Sequence, residues 1–188
     1  MGSKTISLGY SARDDFRPYH NRTNRYAAIV AHRRAGKTVA CVMDLLVRAL
    51  QCEKPNPRFA YIAPHYNQAK DIAWDYVKQY AAPVLEFGGA INEAELRVDL
   101  PNGGRVRLYG GDNYNRLRGL FFDGVVLDEY ADMDPRVWEV VRPCLSDREG
   151  WCSWIGTPKG MNAFYNVFEQ AKREEDWYSL ELRASKTG

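Results

Sequence analysis

Short apolar segments alternate with longer segments in which apolar residues recur every three or four positions. The short segments predict buried strands and the longer ones predict helices. Strands are predicted at 26–31, 59–63, 124–128, 152–156 and 177–182. Helices are predicted at about 37–51, from the pair Asp134-Pro135 to Pro143, at about 162–172, and along the apolar stripe Ala69, Ile72, Ala73, Tyr76, Val77 and Tyr80. This alternation is typical of an α/β domain with a mostly parallel sheet flanked by helices.

Residues 95–109 depart from this pattern. Apolar and polar residues alternate there on both sides of Asn102-Gly103. Because Asn-Gly suits the left-handed backbone of a tight turn, the segment predicts a β-hairpin inserted into the domain.

Composition excludes several classes of protein. The 188 residues are 45% hydrophobic and 13% aromatic, which is enough for a core and unlike a disordered chain. No apolar run is long enough to span a membrane, and the first ten residues do not resemble a signal peptide. The four cysteines lack CxxC spacing, which favours reduced thiols in a cytoplasmic protein over a zinc site.

The net charge of +2 is unevenly distributed. Residues 1–37 contain eight Lys/Arg and two Asp, while the rest of the chain is net acidic. This asymmetry is compatible with a polyanion near the N-terminal segment, but a solvated surface with a few arginines at one phosphate site explains it equally well.

The most specific motif is Ala31-His-Arg-Arg-Ala-Gly-Lys-Thr38, between a predicted strand and a predicted helix. It matches the phosphate loop GxxxxGK[ST] except that Ala31 replaces the first glycine. Lys37 is expected to contact the β- and γ-phosphates of a nucleotide, and the Thr38 hydroxyl to bind Mg²⁺. The remaining nucleotide-binding residues expected in this motif and after it are Arg33, Arg34, Ala35, Gly36 and Val39.

Three further features fit the hydrolysis of a nucleotide bound at this loop. An apolar strand ends in Asp128-Glu129, where Asp128 would complete the Mg²⁺ site and Glu129 would polarise the attacking water. Thr157 follows another strand and could sense the γ-phosphate, although an ordinary Thr-Pro turn is an equally good interpretation. Arg33, Arg34 and Arg118 are candidates to meet charge on the transferred phosphoryl group, although a single arginine is more often a surface ion-pair partner.

Together these motifs resemble the ATPase domain of the large terminase subunit of tailed bacteriophages. The matching segments, in the family's order, are Phe16–His20, His32–Thr38, Ile62–Pro64, Gln68–Lys70, Leu100–Gly103, Leu117–Gly119, Val125–Tyr130 and Gly156–Pro158. The phosphate loop that is rich in arginine and lacks its first glycine is characteristic of terminases.

The resemblance implies a P-loop ATPase fold of the additional-strand, RecA-like type, formed by residues 1–188 as a single domain. It implies ATP and Mg²⁺ as cofactors, and roles for Lys37, Thr38, Asp128 and Glu129 that match those above. Residues 1–25 would be the adenine-side segment, with contacts from Phe16, Pro18 and His20, although many relatives have Gln in place of His20. Arg33 would be the phosphate-loop arginine, Arg118 would be an arginine finger, and Gly156 with Thr157 would couple hydrolysis to movement.

The resemblance also implies a motor that drives double-stranded DNA into a procapsid. The implied partners are the portal, the small terminase subunit and further copies of this chain in a ring, within the infected host's cytoplasm and transiently at the capsid vertex. We expect the isolated chain to be a monomer. Because the sequence ends after the last strand and the linker-like segment 184–188, we expect no nuclease activity from it.

Three other functions are compatible with parts of the pattern. A superfamily-2 helicase also joins a phosphate loop to Asp-Glu, but it needs a second RecA-like lobe. A small-molecule kinase favours an arginine-rich lid and does not need the pair Asp128-Glu129. A scaffold that binds nucleotide without hydrolysis would have no use for Glu129.

Overall fold

Eight strands form one sheet within residues 6–183, the part of the chain that the computed structural model describes. Their bounds are Tyr26–Ala31 (β1), Arg58–Ala63 (β2), Ala90–Asn92 (β3), Arg97–Asp99 (β4), Arg105–Gly110 (β5), Gly124–Asp128 (β6), Trp151–Gly156 (β7) and Trp177–Leu182 (β8). The spatial order is β3-β4-β5-β2-β6-β7-β1-β8. The pairs β3–β4 and β4–β5 are antiparallel, and the other five pairs are parallel. The predicted α/β class with a mostly parallel sheet is confirmed.

Helices cover both faces of the sheet. Their bounds are Arg17–His20 (α1), Lys37–Gln51 (α2), Tyr66–Ala69 (α3), Asp75–Leu85 (α4), Arg136–Ser146 (α5) and Ala163–Arg173 (α6). The helices α2 and α4 bury their apolar side chains against one face, and α5 and α6 bury theirs against the other. Within residues 6–183, none of these helices has the length and hydrophobicity needed to cross a membrane.

The segment between α3 and α4 differs from the predicted amphipathic helix. Residues Lys70–Trp74 form a π-helix, which adds one residue to the turn and rotates the following side chains around the axis. Tyr76, predicted to be buried, is therefore 39% exposed. Trp74, Ala81 and Val84, which the predicted stripe omitted, are buried instead.

The helix predicted to end at Pro143 continues to Ser146. Pro143 removes one backbone hydrogen bond, but Val140, Val141 and Leu145 on either side of it are buried in the core. Burial of these side chains therefore stabilises the helix beyond Pro143 by more than the lost hydrogen bond destabilises it. At the other end, Asp134 precedes the helix as predicted, and its carboxylate accepts a hydrogen bond from the Arg136 backbone N–H at 2.9 Å.

The predicted hairpin exists as the antiparallel pair β4–β5, but it is less of an insertion than expected. Its second strand, β5, also pairs in parallel with β2 and therefore belongs to the main sheet. The loop is longer than a two-residue Asn-Gly turn, since the Leu100 N–H donates to the Gly104 carbonyl at 2.8 Å. Strand β3, which was not predicted, extends the sheet beyond the hairpin.

A buried ion-pair network attaches the N-terminal segment to α2. Asp44 of α2 is 2% exposed and lies 2.9 Å from the buried guanidinium of Arg22. Arg48 donates to the same carboxylate at 3.0 Å, and His20 lies 3.4 Å from it. Burial alone would raise the pKa of Asp44, but the hydrogen bond with His20 and the charges of Arg22 and Arg48 lower it below its usual value.

Two expected segments, residues 1–5 of the adenine side and the linker 184–188, lie outside the described residues.

Asp44→Asn is expected to lower the free energy of unfolding by about 3 kcal/mol, because it leaves the buried charge of Arg22 without its carboxylate. Urea denaturation at pH 7.5 measures this change. The matched variant Asp75→Asn, which removes an exposed carboxylate, should change the free energy by less than about 0.5 kcal/mol. Equal stabilities for the two variants would contradict a structural role for the network.

Candidate active site

The predicted motifs meet at one edge of the sheet. Strands β2, β6, β7 and β1 are consecutive parallel neighbours, so their carboxyl ends share that edge. The phosphate-loop motif follows β1, Glu129 follows β6, and Thr157 follows β7. Ligands of parallel sheets commonly bind at this edge, where loops and helix N-termini converge.

The phosphate-loop motif forms a tight concave turn before α2. Arg34 and Gly36 both have a left-handed backbone, with φ of 66° and 88°. Successive backbone N–H groups in such a turn, together with the N-terminus of a 15-residue helix, favour an anion. Ala31 remains in regular strand pairing with Leu182, which explains why the first consensus position does not need glycine here.

Glu129 lies between the phosphate loop and the end of β7. Its Oε1 is 3.2 Å from the Lys37 Nζ, and its Oε2 accepts a hydrogen bond from the Thr157 hydroxyl at 3.1 Å. Glu129 itself has a left-handed backbone (φ 47°), an unfavourable conformation for a non-glycine residue that is often found at functional sites. Three residues that sequence analysis singled out in separate motifs are therefore in direct contact.

Gly156 has a steric reason to be glycine. A Cβ atom at this position would lie 3.0 Å from the Phe164 ring and 3.6 Å from the Glu129 Cα. A side chain at position 156 would therefore require the Phe164 ring to shift, while the contact with Glu129 would be an ordinary one.

Asp128 is almost completely buried, at 1% exposure. Its Oδ1 accepts the Glu129 N–H at 2.9 Å, and its Oδ2 accepts a hydrogen bond from the Tyr61 hydroxyl. Burial raises the pKa of Tyr61 well above its usual value, and the nearby Thr38 side chain acts in the opposite direction. Tyr61 thus lies beside both predicted Mg²⁺ ligands and is hydrogen-bonded to Asp128.

The chemistry of this pair suits a divalent cation. The pKa of Asp128 is raised to about 6: burial is the largest cause and the charge of Glu129 acts in the same direction, while the Tyr61 hydroxyl and Lys37 partly oppose them. A raised pKa means that the ionised Asp128 carboxylate is less stable here than in water, because nearby positive charge does not offset its burial. Hydroxyl and carboxylate oxygens are ligands that Mg²⁺ prefers, and a cation would supply that charge.

The adenine-side residues are divided between two cavities. Phe16 and Val39 line a cavity of about 240 Å³ beside Gly36 of the phosphate loop. His20 lines a separate cavity of about 460 Å³ together with Asp44. Pro18 is exposed on α1. Of the three predicted adenine-side residues, the structure therefore brings Phe16 next to the phosphate loop but not Pro18 or His20.

The predicted arginines are all on the surface. Arg33 and Arg34 are exposed in the phosphate loop, next to the expected position of a triphosphate. Arg118 is exposed after the segment Gly111–Leu117, and its Nε donates to the Asn115 side chain at 3.1 Å. Arg118 thus contacts its own segment and not the residues around Glu129.

Two site residues were missed by sequence analysis. Tyr61 was assigned only to a buried strand, and the alternation of Phe59, Tyr61 and Ala63 on one face was the available signal. Arg13 lies against the phosphate loop, where its Nη1 donates to the Ala35 carbonyl at 3.1 Å. No motif includes Arg13, because its contact depends on how the N-terminal segment folds back.

Comparisons with known proteins show which family the chain resembles. Residues 28–183 match the sequence model of the family described as terminase large subunit, T4likevirus-type, N-terminal. The large terminase subunit of Thermus virus P23-45 is 30% identical over 179 residues, an alignment that covers 86% of this chain and 36% of that protein. This chain therefore spans about a third of the length of that relative.

Solved structures show the same fold. The large terminase ATPase domain of Thermus phage P74-26 superposes with a TM-score of 0.82 at 26% identity, covering 95% of this chain and 84% of that one. The large terminase of a thermophilic bacteriophage, in complex with ADP, gives a TM-score of 0.71 at 14% identity, covering 85% of this chain and 40% of that one. At 14% identity the second likeness establishes a shared fold alone.

Proposed function

Because this chain belongs to the family of N-terminal domains of terminase large subunits, we propose that it is the ATPase of a viral DNA-packaging motor. The observation that carries the proposal is the contact of Glu129 with both Lys37 and Thr157 at the carboxyl edge of the sheet. This arrangement joins a phosphate-binding lysine to a carboxylate that could orient water.

Nucleotide binding begins at the phosphate loop. The concave backbone of residues 32–36 and the N-terminus of α2 would hold the phosphates, and the cavity beside Phe16 and Val39 would hold the base. Lys37 is paired with Glu129, so the negatively charged triphosphate would compete with that carboxylate for the lysine. Its binding would release Glu129 Oε1 to accept a hydrogen bond from water.

Hydrolysis then depends on Glu129 and on charge neutralisation. Thr157 holds the other carboxylate oxygen, which keeps Glu129 oriented after Lys37 has turned to the phosphates. Mg²⁺, held by Thr38 and Asp128, would neutralise charge on the phosphates. Because Thr157 follows β7 directly, changes at Glu129 would be transmitted to that strand, which supports the expected coupling role of Gly156 and Thr157.

The wider assembly is part of the same proposal. Hydrolysis would power translocation of double-stranded DNA into a procapsid, by a ring of copies of this chain that works with the portal and the small subunit. The work would take place in the host cytoplasm and at the capsid vertex. We propose that these 188 residues form one domain whose own chemistry is ATP hydrolysis and not DNA cleavage.

Steady-state ATP hydrolysis tests the proposal when it is measured with and without double-stranded DNA. The chain alone and a longer protein that includes the rest of the terminase should be compared. Stimulation by DNA in the longer protein is expected. Absence of ATP hydrolysis in both proteins would contradict the proposed activity.

Lys37→Ala is expected to weaken ATP binding by about 10- to 100-fold or more, because it removes a charge-assisted contact to the triphosphate. Isothermal titration calorimetry measures the affinity, and circular dichroism verifies that the variant is folded. Lys172→Ala, which removes an exposed lysine of α6, is the matched control and should bind like the wild type. Unchanged affinity in Lys37→Ala would contradict the assignment of the loop.

A further inference from the structure

Tyr61 carries a buried hydroxyl at the centre of the sheet. The residue is 0% exposed on β2, where it is in register with Val126 of the neighbouring strand β6. A hydroxyl in an apolar core is unfavourable unless it is hydrogen-bonded, and phenylalanine would fill almost the same space. The hydroxyl must therefore be explained by what it contacts.

Its one hydrogen bond is to a candidate metal ligand, since the hydroxyl donates to Asp128 Oδ2. The other candidate ligand, Thr38, is close enough to act on the pKa of Tyr61. Thr38 belongs to α2 and Asp128 ends β6, so Tyr61 lies beside two elements that pack together only through the tertiary fold. No sequence motif links these three positions.

The hydrogen bonds also fix the orientation of the carboxylate. One oxygen of Asp128 accepts the Glu129 N–H and the other accepts the Tyr61 hydroxyl. Because each carboxylate oxygen has about two acceptor positions, both retain capacity for a cation or its bound water. Two donors on different oxygens therefore orient the Asp128 carboxylate and still leave acceptor positions for a cation.

We propose that Tyr61 is a positioning residue for the divalent cation, an inference that rests on the proposed function. Its hydroxyl sets the orientation of the Asp128 carboxylate before nucleotide and cation arrive. Groups that orient metal ligands typically contribute about 10- to 100-fold to metal affinity.

Tyr61→Phe tests the proposal by direct measurement of cation binding. The dissociation constant of Mn²⁺, used as the probe for Mg²⁺, is measured by electron paramagnetic resonance on the stoichiometric complex with ATPγS. We expect Mn²⁺ to bind about 10- to 100-fold more weakly than in the wild type. We expect nucleotide affinity in EDTA to stay within about twofold of the wild-type value, since the hydroxyl acts on the cation.

Tyr19→Phe is the matched control. Tyr19 is equally buried, and its hydroxyl donates to Ser153 at 3.0 Å and not to a candidate metal ligand. This variant loses a buried hydrogen bond of the same kind and should retain wild-type Mn²⁺ affinity. Unchanged Mn²⁺ affinity in Tyr61→Phe, or equal weakening of Mn²⁺ binding in both variants, would overturn the proposal. So would a large loss of nucleotide affinity in EDTA for Tyr61→Phe, because it would indicate a role in loop structure. Failure of the wild type to bind nucleotide would instead refute the proposed function.

Discussion

Glu129→Gln should bind Mg-ATP at least as tightly as the wild type and hydrolyse it at least about 100-fold more slowly. The slower rate follows because the amide cannot accept a proton from the attacking water, and a positioned base typically contributes about 10²- to 10⁴-fold. Binding of Mg-ATP is preserved because Lys37 no longer has to break its 3.2 Å ion pair with the Glu129 carboxylate in order to contact the phosphates. Single-turnover hydrolysis and calorimetric titration separate the two effects.

The nearby acids are already engaged elsewhere, which makes them suitable controls. Asp132 pairs with Lys159 at 2.5 Å, and Asp134 pairs with Arg136, whose hydrogen bonds lower the pKa of that carboxyl. Asp132→Asn should therefore keep near-wild-type turnover. Near-normal turnover in Glu129→Gln, with a large loss in Asp132→Asn, would transfer the catalytic role to Asp132.

Arg118→Ala is expected to reduce turnover by about 10³- to 10⁵-fold in the assembled motor, the range measured for arginine fingers. In the single chain Arg118 is exposed and contacts Asn115. Lys37 and Glu129, in contrast, are held together by one chain's own sheet. These observations favour a finger that acts on a neighbouring subunit's ATP. The isolated chain should then bind ATP but hydrolyse it slowly, with a rate per subunit that rises with protein concentration.

Mixing Arg118→Ala with Glu129→Gln distinguishes action between subunits from action within one. Each variant alone should be nearly inactive, but a mixed assembly should recover activity. An Arg118→Ala subunit keeps its own Glu129 and can use the arginine of a Glu129→Gln neighbour. Arg116→Ala, in the same exposed segment, is the control and should remain active without mixing. If mixtures shown to co-assemble by sedimentation stay inactive, Arg118 acts within its own subunit or is only a surface residue.

The core strands were predictable because each is a short apolar run whose burial follows from composition. The outer part of the sheet was less predictable. Strand β3 has only three residues, all of them intermediate or exposed, and its pairing with β4 depends on the hairpin already being formed. In the helix before it, Tyr76 was predicted to be buried but is exposed, because the π-helix of Lys70–Trp74 has no periodic signature in the sequence. Local patterns thus define elements better than they define the packing between them.

In the site, too, residues within local motifs were predictable and contacts between distant segments were not. The proximity of Lys37 and Glu129 could be predicted from the sequence, since both belong to motifs that follow strands of a parallel sheet. The position of Tyr61 beside Asp128 could not, because it requires β2 to lie next to β6 in the sheet, and sequence analysis gave no strand order. Arg13 is unpredictable for a similar reason, since 22 residues separate it from Ala35, whose carbonyl it contacts.

A crystal structure of Glu129→Gln with Mg-ATP would test the central claim most directly. The triphosphate is expected against the backbone of residues 32–38, with the Lys37 Nζ on phosphate oxygens and no longer beside position 129. The base should lie in the cavity lined by Phe16 and Val39. Nucleotide bound elsewhere, for example in the cavity of about 580 Å³ beside Tyr109 and Arg116, with the phosphate loop empty, would contradict the account.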